Sequence, residues 1–172
     1  MLRNRASLRH HGYQLIAQMV HGSAVAIGGN GVLLLGPSGS GKSDLALRLI
    51  DRGAQLVSDD IVHIESNLDS LVLKLAPSIA GKIEVRGIGI CPVPHVDSAA
   101  LRLVVEFAKE VERMPPEDVR ILIGSFLVPL VRLDPFQASS ALKVEMALRS
   151  VIDAALMPVA GSKSTATESI GN

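Results

Sequence analysis

Aromatic rings are scarce in this chain. Tryptophan is absent, and one tyrosine and three phenylalanines are the whole aromatic complement of 172 residues. Proteins that grip single-stranded nucleic acid stack bases on such rings, so a stacking platform of that kind is excluded. An excess of one charge is lacking too. Lys and Arg together number 17, as do Asp and Glu, which argues against a globally basic nucleic-acid binder. The single cysteine, Cys91, cannot form an internal disulfide or a cysteine-rich zinc site. A reducing, cytoplasmic setting is expected. No apolar run approaches the ~20 residues that span a bilayer. The longest, residues 121–131, is broken by Gly124, Ser125 and Pro129 and reads as buried strands, so no membrane partner is expected. The start, MLRNRASLRHH, is Arg-rich and acid-poor like an organelle transit peptide, but it lacks a secretory apolar core. Carboxylates are missing early: none precedes Asp44.

What is present suits one globular domain. Hydrophobic residues make up 48% and the mean hydropathy is +0.36, too apolar for a mostly disordered chain. Residues 1–20 are expected as a loose basic arm, 21–157 as the domain, and 158–172 as a polar, disordered tail. Apolar runs at 24–27 and 32–35 flank Gly28-Gly29-Asn30-Gly31, a hairpin signal. Residues 43–51 place Leu45, Ala46, Leu49 and Ile50 on one helical face, and Gly53 stops the helix. Strands are predicted at 55–58, 61–65, 71–75, 83–85, 101–107, 119–123 and 127–133, with a charged loop at 109–118. Asp134-Pro135 reads as a helix start, Asp as N-cap and Pro at the first position. That helix should run to about Leu156 and bury Leu142, Val144, Leu148, Val151 and Ile152. Many strands and two helices imply an α/β fold, a mixed β-sheet with helix cover.

Three motifs carry chemistry. Gly36-Pro37-Ser38-Gly39-Ser40-Gly41-Lys42-Ser43 matches G-x-x-x-x-G-K-[ST] in full, after a strand and before a helix. Backbone N–H groups of such a loop curl round phosphate oxygens, Lys42 reaches the β- and γ-phosphates, and Ser43 can ligate Mg²⁺. Second, the apolar strand Leu56-Val57-Ser58 ends in Asp59 and Asp60. One acid can hold metal while its neighbour acts as a base, since successive strand residues point to opposite faces. Third, in Ile83-Glu84-Val85-Arg86, Glu84 and Arg86 alternate with apolar residues on one strand face. They suit either a surface ion pair or a metal-facing carboxylate with a phosphate-neutralising guanidinium.

His21-Gly22 ahead of a hairpin, the phosphate loop, Ser58-Asp59-Asp60 and then Glu84-Val85-Arg86-Gly87-Ile88-Gly89 together resemble the catalytic domain of bacterial HPr kinase/phosphorylase. The resemblance covers about residues 20–150. It implies a P-loop kinase domain similar to phosphoenolpyruvate carboxykinase, using ATP and Mg²⁺. The implied reaction phosphorylates a serine of HPr, the phosphocarrier of the sugar phosphotransferase system. In many members the same site removes that phosphate with inorganic phosphate as acceptor. A homo-oligomer, hexameric in the family, is also implied.

Residue by residue, the resemblance makes Gly36, Pro37, Ser38, Gly39, Ser40, Gly41, Lys42, Ser43 and Arg86 the nucleotide-binding residues. It assigns Ser43, Asp60 and Glu84 to the metal. Asp59 takes the proton of the substrate serine, His21 stands beside that catalytic Asp, and Arg113 contacts the transferring phosphate. With few rings available, the adenine is expected to be held by aliphatic groups and backbone.

Two departures stand out. Long members carry an N-terminal domain, so a short form with the catalytic domain alone is expected, similar to those of alphaproteobacteria. Cys91-Pro92-Val93-Pro94-His95 also lacks the glycine-rich stretch usual there. Two competing readings are a small-molecule kinase, because guanylate kinases share the Gly-Pro-Ser-Gly-Ser-Gly-Lys start, and a non-catalytic ATP-binding regulator. The 109–118 loop and the C-terminal helix are the candidate surfaces for docking HPr.

Overall fold

The computed structural model describes residues 3–10, 13–67, 69–77 and 80–156. In chain order the elements are β1 (Arg3–His10), β2 (Tyr13–His21), β3 (Ser23–Ile27), β4 (Asn30–Leu35), α1 (Lys42–Asp51), β5 (Gln55–Ser58), β6 (Ile61–Ser66), β7 (Leu71–Lys74), β8 (Lys82–Val85), β9 (Gly89–Pro92), β10 (Ser98–Phe107), β11 (Arg120–Ile123), β12 (Phe126–Leu133) and α2 (Ser140–Leu156). Ten strands form one mixed sheet, and β8 and β9 form a separate pair.

The sheet forks at β10. Its first residues, Ser98 to Ala100, pair antiparallel with β7. Val104 to Phe107 pair parallel with β12 instead. The other edge of β10 pairs parallel with β4. Strand β3 is antiparallel to both β4 and β5. It follows that β4, β5, β10 and β12 all run the same way, with their carboxyl ends at one edge of the sheet.

Alternation along the strands builds two apolar layers. Val25, Val32, Leu34, Leu103 and Val105 pack under Leu45, Leu49, Val144 and Leu148 of the helices. Ala24, Ala26, Leu33, Val104 and Leu130 face the opposite way, where the sheet curls over Val62, Ile64 and Leu73. Strand β10 changes face through a register shift between Leu101 and Leu103. That shift sends both leucines inward, to opposite layers. Truncating a fully enclosed side chain such as Leu49 to Ala would cost about 2–5 kcal/mol.

Four expectations need correction. The first twenty residues are not a loose arm: β1 pairs with β2, and β2 pairs with β6. The expected boundary at residue 21 therefore falls at the end of a strand that joins the sheet. Glu84 and Arg86 do not share a strand face, because β8 ends at Val85 and Arg86 opens a turn. In that turn the Ile88 N–H donates to Val85 O, which brings β9 back against β8. The last helix begins at Ser140, not at Asp134-Pro135. Asp134 Oδ1 accepts the N–H of Phe136 at 2.9 Å, closing an Asx turn rather than capping a helix. Leu142 is 47% exposed instead of buried, while Ala141, Val144 and Leu148 face the core. The tail expected at 158–172 lies outside the described residues.

Candidate active site

Most of the candidate side chains gather at the carboxyl edge of the sheet. Strand β4 delivers the phosphate loop, and β5 delivers Asp59 and Asp60. Strand β3 runs the other way, so its first residue, Ser23, lies at the same edge, with His21 and Gly22 just before it. Gly22 is required there. A Cβ on it would sit 2.8 Å from Leu34 O, and its N–H donates to Asp60 O at 3.1 Å.

The loop has the conformation that its glycines permit. Gly39 and Gly41 adopt φ of 74° and 94°, values that strain a residue with a Cβ. Gly41 is the N-cap of α1 and no side chain among the described residues caps the helix, so the first-turn amides are left for another acceptor. A Cβ on Gly36 would lie 2.6 Å from Ser40 Oγ. That hydroxyl is buried and has no hydrogen-bond partner among the described residues. Lys42 is 6% exposed. Its ammonium donates to Gly36 O at 2.9 Å and Pro37 O at 2.8 Å. Burial lowers its pKa from the ordinary lysine value, and the charges of Asp60 and Asp59 oppose that shift.

The two aspartates diverge, but not by strand alternation: β5 ends at Ser58 and both residues lie in the bend that follows it. Asp59 is buried at 5% exposure. Its Oδ1 accepts Ser23 Oγ at 2.6 Å and Ser43 Oγ at 2.9 Å, and its Oδ2 lies 3.0 Å from the Ser43 hydroxyl. Asp60 occupies the left-handed region at φ 68°, which Asp tolerates better than most residues. Its side chain is 68% exposed and meets His21 Nε2 at 3.3 Å. His21 thus stands beside the second aspartate, while the first is engaged by two serines. Ser58 steadies the bend. Its hydroxyl donates to Ile61 O at 2.5 Å and accepts the N–H of Ala76 at 3.2 Å.

Ser43, Asp59 and Lys42 therefore converge, and Asp60 joins His21. Glu84, Arg86 and Arg113 are exposed, the last on the 109–118 loop. Among the described residues no three His, Cys, Asp or Glu side chains group as a metal site. Ser23 escaped the sequence reading, because a lone serine opening a strand carries no signal of its own. A groove of about 1110 Å³ lies elsewhere, between the 109–118 loop, β12 and the end of α2. It includes neither the phosphate loop nor the aspartates. No described helix is long and apolar enough to cross a membrane.

The family model of the HPr serine kinase C-terminal domain matches residues 14–114. The HPr kinase/phosphorylase of Caldicellulosiruptor bescii is 39% identical over 122 residues, covering 63% of this chain and 39% of that protein. The HPr kinase/phosphorylase of Chlorobium phaeobacteroides is 38% identical over 133 residues, covering 69% of this chain and 41% of that protein. The chain thus spans about two fifths of the length of these curated relatives. Among solved structures, the Hpr(Ser) kinase/phosphatase from Coxiella burnetii matches with a TM-score of 0.70 at 29% identity. That match covers 80% of this chain and 98% of the other.

Proposed function

Because the chain belongs to the HPr serine kinase C-terminal domain family, we propose that it transfers the γ-phosphoryl group of ATP to a serine of an HPr-type phosphocarrier. The observation that carries the reading is the contact of Asp59 with the Ser43 hydroxyl at the phosphate loop, at 2.9 and 3.0 Å. The uncapped N-terminus of α1 and the left-handed glycines suit a polyphosphate. The Ser43 hydroxyl and the Asp60 and Glu84 carboxylates are hard oxygen donors of the kind Mg²⁺ prefers. Ser43, Asp60 and Glu84 would hold that ion, which when bound supplies positive charge to the phosphate oxygens.

In this reading Lys42 exchanges its two loop carbonyls for phosphate oxygens and stabilises charge as the phosphoryl group moves. The serine oxygen attacks phosphorus, its proton passes to the Asp59 carboxylate, and ADP leaves. Arg113 would reach the phosphoryl group from the 109–118 loop, and Arg86 the nucleotide. Phosphate-dependent dephosphorylation, a homo-oligomer and a cytoplasmic setting belong to the same reading.

One observation favours exchanged roles for the aspartates. Asp59 is buried against Ser43, whereas Asp60 is exposed and accessible to a protein hydroxyl. Exchange makes Asp59 the metal-side carboxylate and Asp60, beside His21, the proton acceptor. Titrating Mg²⁺ against Asp59→Asn and Asp60→Asn separates the two. The metal-side variant needs more Mg²⁺, and the proton-acceptor variant fails at saturating Mg²⁺.

The overall test is incubation with labelled ATP·Mg²⁺ and HPr. Label on an HPr serine is the expected result. Label on a small molecule, or bound ATP with no turnover, would overturn the assignment in favour of a metabolite kinase or a nucleotide-binding regulator.

A further inference from the structure

The phenylalanines are unevenly placed. Phe107 and Phe126 pack partly buried against the two apolar layers. Phe136 is 71% exposed, in a chain with few rings to leave in water. It also stands against the phosphate loop. A Cβ on Gly41 would lie 3.2 Å from Phe136 Cε1 and 3.3 Å from Cζ.

The topology explains the meeting. Strands β4 and β12 flank the carboxyl-terminal half of β10, both parallel to it. The loop after β4 is the phosphate loop and the turn after β12 carries Phe136, so both leave the same edge. In open sheets with parallel strands, ligands settle in the crevice outside the carboxyl ends of the strands.

The ring is held in place by its backbone. The Phe136 N–H is bound to Asp134 Oδ1 at 2.9 Å. Ser140 Oγ donates to Asp134 O at 2.6 Å. Arg48, on the second turn of α1, donates to the carbonyls of Pro135 and Gln137, and its Nε reaches Asp44 Oδ2 at 3.0 Å. The turn is thereby tied to the helix that begins at the phosphate loop.

We propose that Phe136 is the stacking platform for the base of the nucleotide, presenting one exposed aromatic face beside the phosphate loop to a purine. This rests on the reading of the site as a nucleoside triphosphate site. It replaces the expectation that the adenine is held by aliphatic groups and backbone. Stacking is tolerant of base identity, so Phe136 contributes affinity without separating ATP from GTP.

The experiment is calorimetric titration of the whole chain with Mg·ATP and with Mg·tripolyphosphate, which has the phosphates but no base. Phe136→Ala should weaken ATP about tenfold or more and leave tripolyphosphate unchanged. Phe136→Tyr should keep ATP affinity within about twofold. An unchanged ATP affinity in Phe136→Ala, or an equal loss for both ligands, overturns the platform. If the unaltered chain binds neither ligand, the nucleotide reading itself fails. The side chain is exposed, so the variants test the ring rather than the fold.

Discussion

Ser23 Oγ donates a 2.6 Å hydrogen bond to Asp59 Oδ1, joining the start of β3 to the acid that follows β5. Both groups are buried, so the bond is made away from water and its loss is felt in full. Urea unfolding of Ser23→Ala, Asp59→Asn and the double variant should give a coupling of about 1–3 kcal/mol. A coupling near zero would mean that Ser43 alone satisfies Asp59.

Asp59→Asn should leave ATP affinity within a few-fold and reduce transfer to HPr by about 10²–10⁴, the usual contribution of a positioned proton acceptor. Single-turnover transfer from labelled ATP checks this. Normal transfer would remove Asp59 from the chemistry under either assignment of the aspartates.

Lys42→Ala should act on binding. The ammonium lies inside the loop, bonded to Gly36 O and Pro37 O, and in the proposed reading its removal takes away the charge that would meet the phosphates. ATP affinity measured calorimetrically should fall by at least about tenfold, the worth of one charge-assisted hydrogen bond. An unchanged affinity would count against the phosphate-loop reading.

Gly22→Ala should destabilise the chain by about 1–3 kcal/mol, as overpacking does. The new methyl would press on Leu34 O at 2.8 Å, and the strand behind it cannot recede without disturbing β4. Thermal or urea unfolding measures the loss. The same change should disturb the bond from Gly22 N–H to Asp60 O and lower activity beyond what stability explains.

The strand, glycine loop and helix over residues 32–51 were legible because their local signals all agree. The hairpin at Gly28-Gly29 was legible for the same reason: Gly28 and Gly29 have φ of 55° and 80°, the conformation for which those residues are suited. The first two strands were not legible. Residues 13–20 lack strict alternation, and their strand state depends on pairing with β1 and β6. Strand β9 is short and mostly exposed, so it has no apolar face to announce it. Asp134-Pro135 misled because one residue pair serves equally to open a helix or to close an Asx turn. What decided it was Arg48, which sits far away in sequence and holds the turn's carbonyls. The placement of His21 on Asp60 likewise depended on the register of β2 against β6, where His21 faces Ile61.

The fork at β10 sets where this chain can tolerate a change in length. Parallel pairing of Val104 to Phe107 with Leu130 to Leu133 works as a ruler between the phosphate loop and the turn beyond β12. A strand advances about 3.3 Å per residue and alternates its faces. One residue inserted in β12 would therefore shift the turn by a strand step and invert the side chains that pack beneath it. The same insertion in the 109–118 loop would alter neither. Natural or engineered variants should accordingly vary in length between β10 and β11 and remain invariant in length from Phe126 to Phe136.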